Sequence, residues 1–109
     1  RAAALEALSR SMDPGDLRFL LDVLAVEKDS KCRASAVQAI YNFEFTSGDG
    51  SLVAEAARAL WRIWSNPSEP QEARRFAGWG IVNAYSASSA TAVLGESEWN
   101  HMLSKVKAE

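Results

Sequence analysis

One histidine, His101, and one cysteine, Cys32, are the side chains of this sequence that titrate or react closest to neutral pH. Glu98 stands three residues before His101, so a helix would place both on one face. A carboxylate beside an imidazole is one element of general acid–base chemistry. Nucleophilic catalysis also needs a serine or cysteine within reach, and a metal site needs several nitrogen or sulfur ligands together. No second histidine and no cysteine stands near His101, the Glu98 spacing is a common one, and a surface histidine is the expectation. Cys32 lies between Lys31 and Arg33 near a helix start, an arrangement that lowers a thiol pKa. The same slot suits a small buried hydrophobe, and that structural role is the expected one. The carboxylate pairs Asp13/Asp16, Glu69/Glu72 and Glu96/Glu98 all fall at expected helix starts, where negative charge favours the helix dipole. There is no phosphate-binding glycine loop, zinc spacing or calcium loop. The reading is therefore no catalytic residue, no cofactor and no metal: a chain that is not an enzyme.

Arginines and tryptophans remain as residues able to recognise a partner. Arg1, Arg33 and Arg74 read either as a basic binding row or as a ladder of contacts to acidic turn residues such as Asp29 or Asp13. The ladder is preferred, because helix-terminal charges commonly complement local carboxylates. Four tryptophans are present. Trp64 is expected to close a core, Trp99 to anchor the last helix, and Trp61 to sit at the edge of an apolar stripe. Trp79 falls where water-facing residues are expected, so it is either an exposed binding anchor or covered by residues 86–95 or a following repeat.

Helices must position these side chains, because the apolar spacing is helical nearly throughout. Leu5, Leu8 and Met12 mark a first helix. Asp13 and Pro14 suit the N-cap and first position of a second, in which Leu17, Leu20, Leu21 and Leu24 follow the spacing of a buried stripe. Arg18 and Asp22 pair weakly across its outer face. Asp29 or Ser30 caps a third helix with Cys32, Ala36, Val37, Ala39, Ile40 and Phe43 inside. "TSGDGS" is a loop. A fourth helix from about Leu52 to Trp64 buries Val53, Ala56, Ala57, Leu60, Ile63 and Trp64, with Glu55, Arg58 and Arg62 as its polar stripe. Ser68 and Gln71 read as a capping box for a fifth helix, which holds Ala73, Phe76, Ala77, Gly80, Ile81 and Ala84. "SASSATAVLG" reads as loop, and a last helix near Ser97 to Lys107 carries Trp99, Met102, Leu103 and Val106.

The 109 residues amount to one domain, 48% apolar and 24% charged, with net charge −2. That balance, without a lysine cluster, argues against nucleic acid as the partner. No apolar run approaches the roughly 18 residues of a membrane span, and no signal peptide is visible. A cytoplasmic protein with no membrane contact is expected. The start at arginine points to a piece of a longer protein.

"RAAALEAL" at residue 1 returns as "RASAVQAI" at Arg33, and a third copy follows Arg74 with Ala77, Gly80 and Ile81. In each copy small residues stand three and six places after the arginine, and an aliphatic stands seven places after it. Small residues let helices approach closely, and the aliphatic supplies core. The intervals are 32 and 41 residues, in the range of helical-hairpin solenoids. The stretch "RAAALEALSRSMDPGDLRFLLDVLAVEKDSKCRASAVQAI" resembles HEAT-type repeats, especially the short HEAT-like repeats of phycobilisome lyases. The likeness is good over residues 1–45, weaker over 46–85, where Phe76 and Trp79 replace small or polar residues, and poor beyond 86. It implies an all-α, α-α superhelix: a HEAT-like solenoid of about three helical hairpins, with repeats near 1–28, 29–65 and 68–108. It also implies that the second helix of each hairpin lines a concave groove, into which Arg18, Asp22, Glu55, Arg58 and Arg62 would look. The function that follows is a non-enzymatic scaffold that binds another protein through Arg18, Arg58, Trp61, Arg62 and Trp79. The alternatives are a bilin lyase-like subunit, carried by the repeat pattern alone, and a nucleic-acid-binding domain like that of HEAT-like DNA glycosylases, carried by Arg58, Arg62, Arg74, Arg75 and the tryptophans.

Overall fold

Five helices, and no strand, make up the residues described by a computed structural model, which are 14–43, 50–86 and 94–108. They are α1 (Pro14–Val26), α2 (Ser30–Asn42), α3 (Gly50–Trp64), α4 (Gln71–Tyr85) and α5 (Glu96–Ala108). The all-helical class is as expected. Six helices in three hairpins were expected, and five helices stand among the described residues. The helix assigned to Leu5, Leu8 and Met12 lies outside them, as do the anchor Arg1 and its octet.

The helix boundaries follow local chemistry. α1 starts on Pro14, whose missing N–H falls where a helix needs none. Asp29 caps α2, its carboxylate accepting the Cys32 N–H at 3.0 Å. The capping box expected at Ser68 and Gln71 does not form. Asn66 Oδ1 accepts the Ser68 N–H at 3.0 Å instead, and α4 begins behind Pro70 without a side-chain cap. α3 starts two residues ahead of expectation, at Gly50. Gly95 leads into α5 at φ 87°, a left-handed conformation that glycine adopts without a Cβ clash.

The core is the set read from the apolar spacing. Leu17, Leu20, Ile40, Leu60, Ile81 and Trp99 are all fully buried, and Cys32 is buried with them. Trp64 departs from expectation: it is only half-buried. Helices contact both their chain neighbours and the helix one further along. α4 packs on both α2 and α3, α1 on α2 and α3, and α5 on α4. The two described octets therefore lie on neighbouring helices, with Arg33 and Arg74 each the fourth residue of its helix. Ala36, Ala39, Ala73 and Ala77 are buried along this seam. Packing is close at Gly80: a Cβ there would stand 2.7 Å from Leu60 Cδ1, so the Leu60 side chain would have to shift, and 3.6 Å from Tyr41 Cα. The molecule measures 36 × 31 × 19 Å, its thinnest dimension matching about two helix diameters of ~10 Å each.

Candidate functional site

Two of the anchor arginines, Arg33 and Arg74, are among the described residues, and both are engaged within the fold. Arg33 Nη1 donates to the carbonyls of Leu24 and Glu27, both at 2.8 Å, at the C-terminal end of α1. The same guanidinium forks onto Glu69 in the connector before α4, with Nε to Oε1 at 3.1 Å. Arg74 Nε donates to the carbonyl of Trp64, the last residue of α3, at 3.0 Å. Each arginine thus satisfies carbonyls that a helix end leaves open and favours the negative end of its dipole. Of the expected ladder of contacts to acidic turns, Arg33 alone meets an acid among the described residues, and that acid is not Asp29; Arg74 meets a carbonyl, and Arg1 and Asp13 lie outside the described residues. The Asp29 carboxylate caps α2, and Glu69, 36 residues after Arg33, takes the role.

The predicted binding residues fall into two groups. Arg18 and Arg58 lie exposed on α1 and α3, and both are engaged. Arg18 donates to Asp22, as its i, i+4 spacing predicts, and to Glu55 across the helix interface at 2.8 Å. Arg58 forks onto Glu98 of α5 at 3.1 and 3.2 Å. Hydrogen bonding to Glu55 raises the Arg18 guanidinium above its ordinary pKa, and Glu98 does the same for Arg58. Both groups stay charged and are already answered by acids, so neither offers an open cation to a partner. Trp61 is half-buried, stacked on Trp64 with centroids 5.2 Å apart and met edge-on by the exposed ring of His101 at 5.5 Å. Arg62 is exposed and has no ion-pair partner among the described residues. It lies at a hollow of about 300 Å³ with Leu21, Leu24, Ala25 and Ile63.

Trp79 stands apart from these four, on α4. It is 47% exposed, and most of the 86–95 segment expected to cover it, residues 87–93, lies outside the described residues. Its ring meets Phe76 edge-on at 5.4 Å and Tyr41 at 5.9 Å. Trp79 also walls a cleft of about 380 Å³ shared by α4, the end of α3 and the last turns of α5. Trp64 and Val106 form the other wall, Gly78 the floor, and Gln71, Arg74 and Arg75 the polar edge. A Cβ on Gly78 would come within 3.1 Å of Trp64 Cδ1 and 3.3 Å of Val106 Cγ1. The missing side chain is what admits the Trp64 ring.

Reading by residue type missed this cleft, yet the octet carried a signal for it. Arg75 stands where the other copies have Ala2 and Ala34, Gly78 where they have Leu5 and Val37, and Trp79 where they have Glu6 and Gln38. The third copy departs from the pattern at the positions that build the cleft.

The described residues contain no group of three His, Cys, Asp or Glu side chains able to hold a metal. Every buried side-chain nitrogen or oxygen among them has a hydrogen-bond partner. No helix among them is long and apolar enough to cross a membrane. Compared with family models, curated protein sequences and solved structures, the chain matches none.

Proposed function

We propose that this chain is a non-enzymatic interaction module of stacked helical hairpins of HEAT-like type, binding another protein. Three features support the architecture. Octet-bearing helices α2 and α4 lie side by side, ion pairs join α1 to α3 and α3 to α5, and the anchor arginines tie each octet helix to the end of the helix before it. In such an array each hairpin buries its apolar face on its neighbours and leaves a broad surface free.

The observation that carries the binding role is the division among the arginines. Arg18, Arg33, Arg58 and Arg74 are engaged within the fold, whereas Arg62 and Arg75 have no hydrogen-bond or ion-pair partner among the described residues. Both line hollows of mixed apolar and polar character, the first shared with Glu69 and Asn66, the second with exposed Trp79. Tryptophan and arginine at partly apolar hollows are the residues that dominate binding energy at protein interfaces. The net charge of −2 favours a protein partner over a phosphate backbone.

The test is affinity capture with the full chain, run beside Arg62→Ala and Trp79→Ala variants whose circular dichroism is unchanged. A stoichiometric protein partner, retained by the parent and lost from either variant, is the expected result. Retention of nuclease-sensitive material in place of protein, or an absorbance shift on mixing with a bilin, would overturn the reading in favour of one of the alternatives.

A further inference from the structure

We propose that the cleft between Trp64 and Trp79 takes an acidic peptide segment, seating an apolar or aromatic side chain between the indoles with a neighbouring carboxylate on Arg75. The inference rests on the interaction-module reading and names its partner chemistry.

Shape is the first support. The Gly78 floor and the Val106 wall leave a pocket of about 380 Å³, at the lower end of the range in which proteins hold ligands and side chains (~300–1,000 Å³). Flat aromatic walls favour a planar or branched apolar group, stacked or edge-on. Trp64 is preset for this: Trp61 stacks on its ring 5.2 Å away, and its backbone carbonyl is held by Arg74. Trp79 is braced by Phe76 and Tyr41. Little ordering remains to be done when a ligand arrives, which favours affinity.

Charge is the second support. Arg75 is exposed at the cleft and has no acidic partner among the described residues. The one acid of α4, Glu72, lines a separate hollow with Lys31 and Pro70 on the side toward α2. The charged residues lining the cleft are therefore both arginines: Arg74, held on the Trp64 carbonyl, and Arg75, which no acid answers among the described residues. A guanidinium beside an indole-walled pocket matches a carboxylate next to an apolar side chain, and a forked pair would fix its orientation. A nucleic acid would need a row of cations along its backbone, and of the four arginines that would form one, Arg58 is paired with Glu98 and Arg74 is held on the Trp64 carbonyl, which leaves Arg62 and Arg75.

The indole N–H signals of the full chain, assigned with Trp→Phe variants, report on the cleft in a proton–nitrogen correlation spectrum. The probe is a capped pentapeptide with phenylalanine between two aspartate pairs. The Trp79 and Trp64 signals should shift saturably, while that of buried Trp99 stays in place. Replacing the aspartates by lysines, or the phenylalanine by alanine, should abolish the shift. Arg75→Glu, an exposed change that leaves the fold intact, should weaken binding by roughly tenfold or more, as removal of a charged anchor does. No shift at millimolar peptide, an equal shift with the lysine peptide, full binding by Arg75→Glu, or tighter binding of oligothymidylate would each overturn the proposal. If a protein partner is captured but its affinity ignores Arg75→Glu and Trp79→Ala, this inference alone fails. If no protein partner is captured, the module reading fails with it.

Discussion

The two faces of α4 follow opposite rules. Toward α2 and α3 it presents Ala73, Ala77, Gly80, Ile81 and Ala84, all buried, and packing is close enough that a methyl at position 80 would meet the Leu60 side chain. Along its other edge stand Gln71, Arg75 and Trp79, exposed beside a cleft floored by Gly78. Small residues occur on both faces. On the inner face they let helices touch, and at position 78 the missing side chain makes room for the Trp64 ring and Val106, which bound the cleft. Stability is concentrated on the first face and recognition on the second, so substitutions should separate the two.

The inner face carries the largest expected effect. Ile81 is fully buried on the seam, and Ile81→Ala removes its methylene and methyl groups and leaves a cavity. Urea unfolding should show a loss of about 3 kcal/mol. A loss below about 1 kcal/mol would mean that the seam relaxes freely and that close packing does not define it. Next comes the end of the seam. Arg33→Ala removes donors from two carbonyls of α1 and strands Glu69, whose side chain is only 10% exposed. The expected cost is about 2 kcal/mol, since a partly buried charge loses its partner. Arg33→Lys should restore less than half of it, because one ammonium cannot fork onto Glu69 and reach both carbonyls. Full rescue by lysine would show that charge alone matters there.

Much of the inner face was legible in the sequence, and much of the outer one was not. The apolar residues of α1 to α5 recur at helical spacing, so the buried set could be read directly. The i, i+4 pair of Arg18 and Asp22 was equally local. What failed was whatever depended on partners distant in sequence. Arg33 meets Glu69 across 36 residues, and no local pattern points to Glu69 in place of Asp29. Ser68 has the type and spacing of a cap, but Asn66 captures its N–H first. Arg18 and Arg58 looked like open binding groups until Glu55 and Glu98 were seen against them. Arg75 drew little notice because its neighbour Arg74 fits the octet and it does not. Departure from the repeat marked the cleft better than residue type did.

A smaller effect probes the seam from the opposite direction. Gly80→Ala adds one methyl where Leu60 Cδ1 would stand 2.7 Å away. Leu60 is fully buried, so its side chain has little room to withdraw. Overpacking costs about 1–3 kcal/mol, and the better helix propensity of alanine offsets about 1 kcal/mol. A net loss of about 1 kcal/mol in urea unfolding is expected. A gain in stability would show that Leu60 rotates away and that glycine is not required for the close approach.

The smallest effect is expected on the outer edge, and it is the sharpest control on the comparison. Arg75→Ala removes a guanidinium that no acid answers among the described residues, from an exposed position on a helix where alanine is the best former. Nothing in the fold loses a partner, so stability should stay within about 0.5 kcal/mol of the parent. Arg18→Ala and Arg58→Ala should likewise leave the melting midpoint where it is, although each breaks a visible ion pair. Those pairs are solvent-exposed, and water and salt replace what the acids supply. The same residue type would then be costly to remove at position 33 and nearly free to remove at 18, 58 and 75. A marked loss on removing Arg75 would mean that its guanidinium is engaged in the fold after all, and the cleft would lose its claim to an open cation.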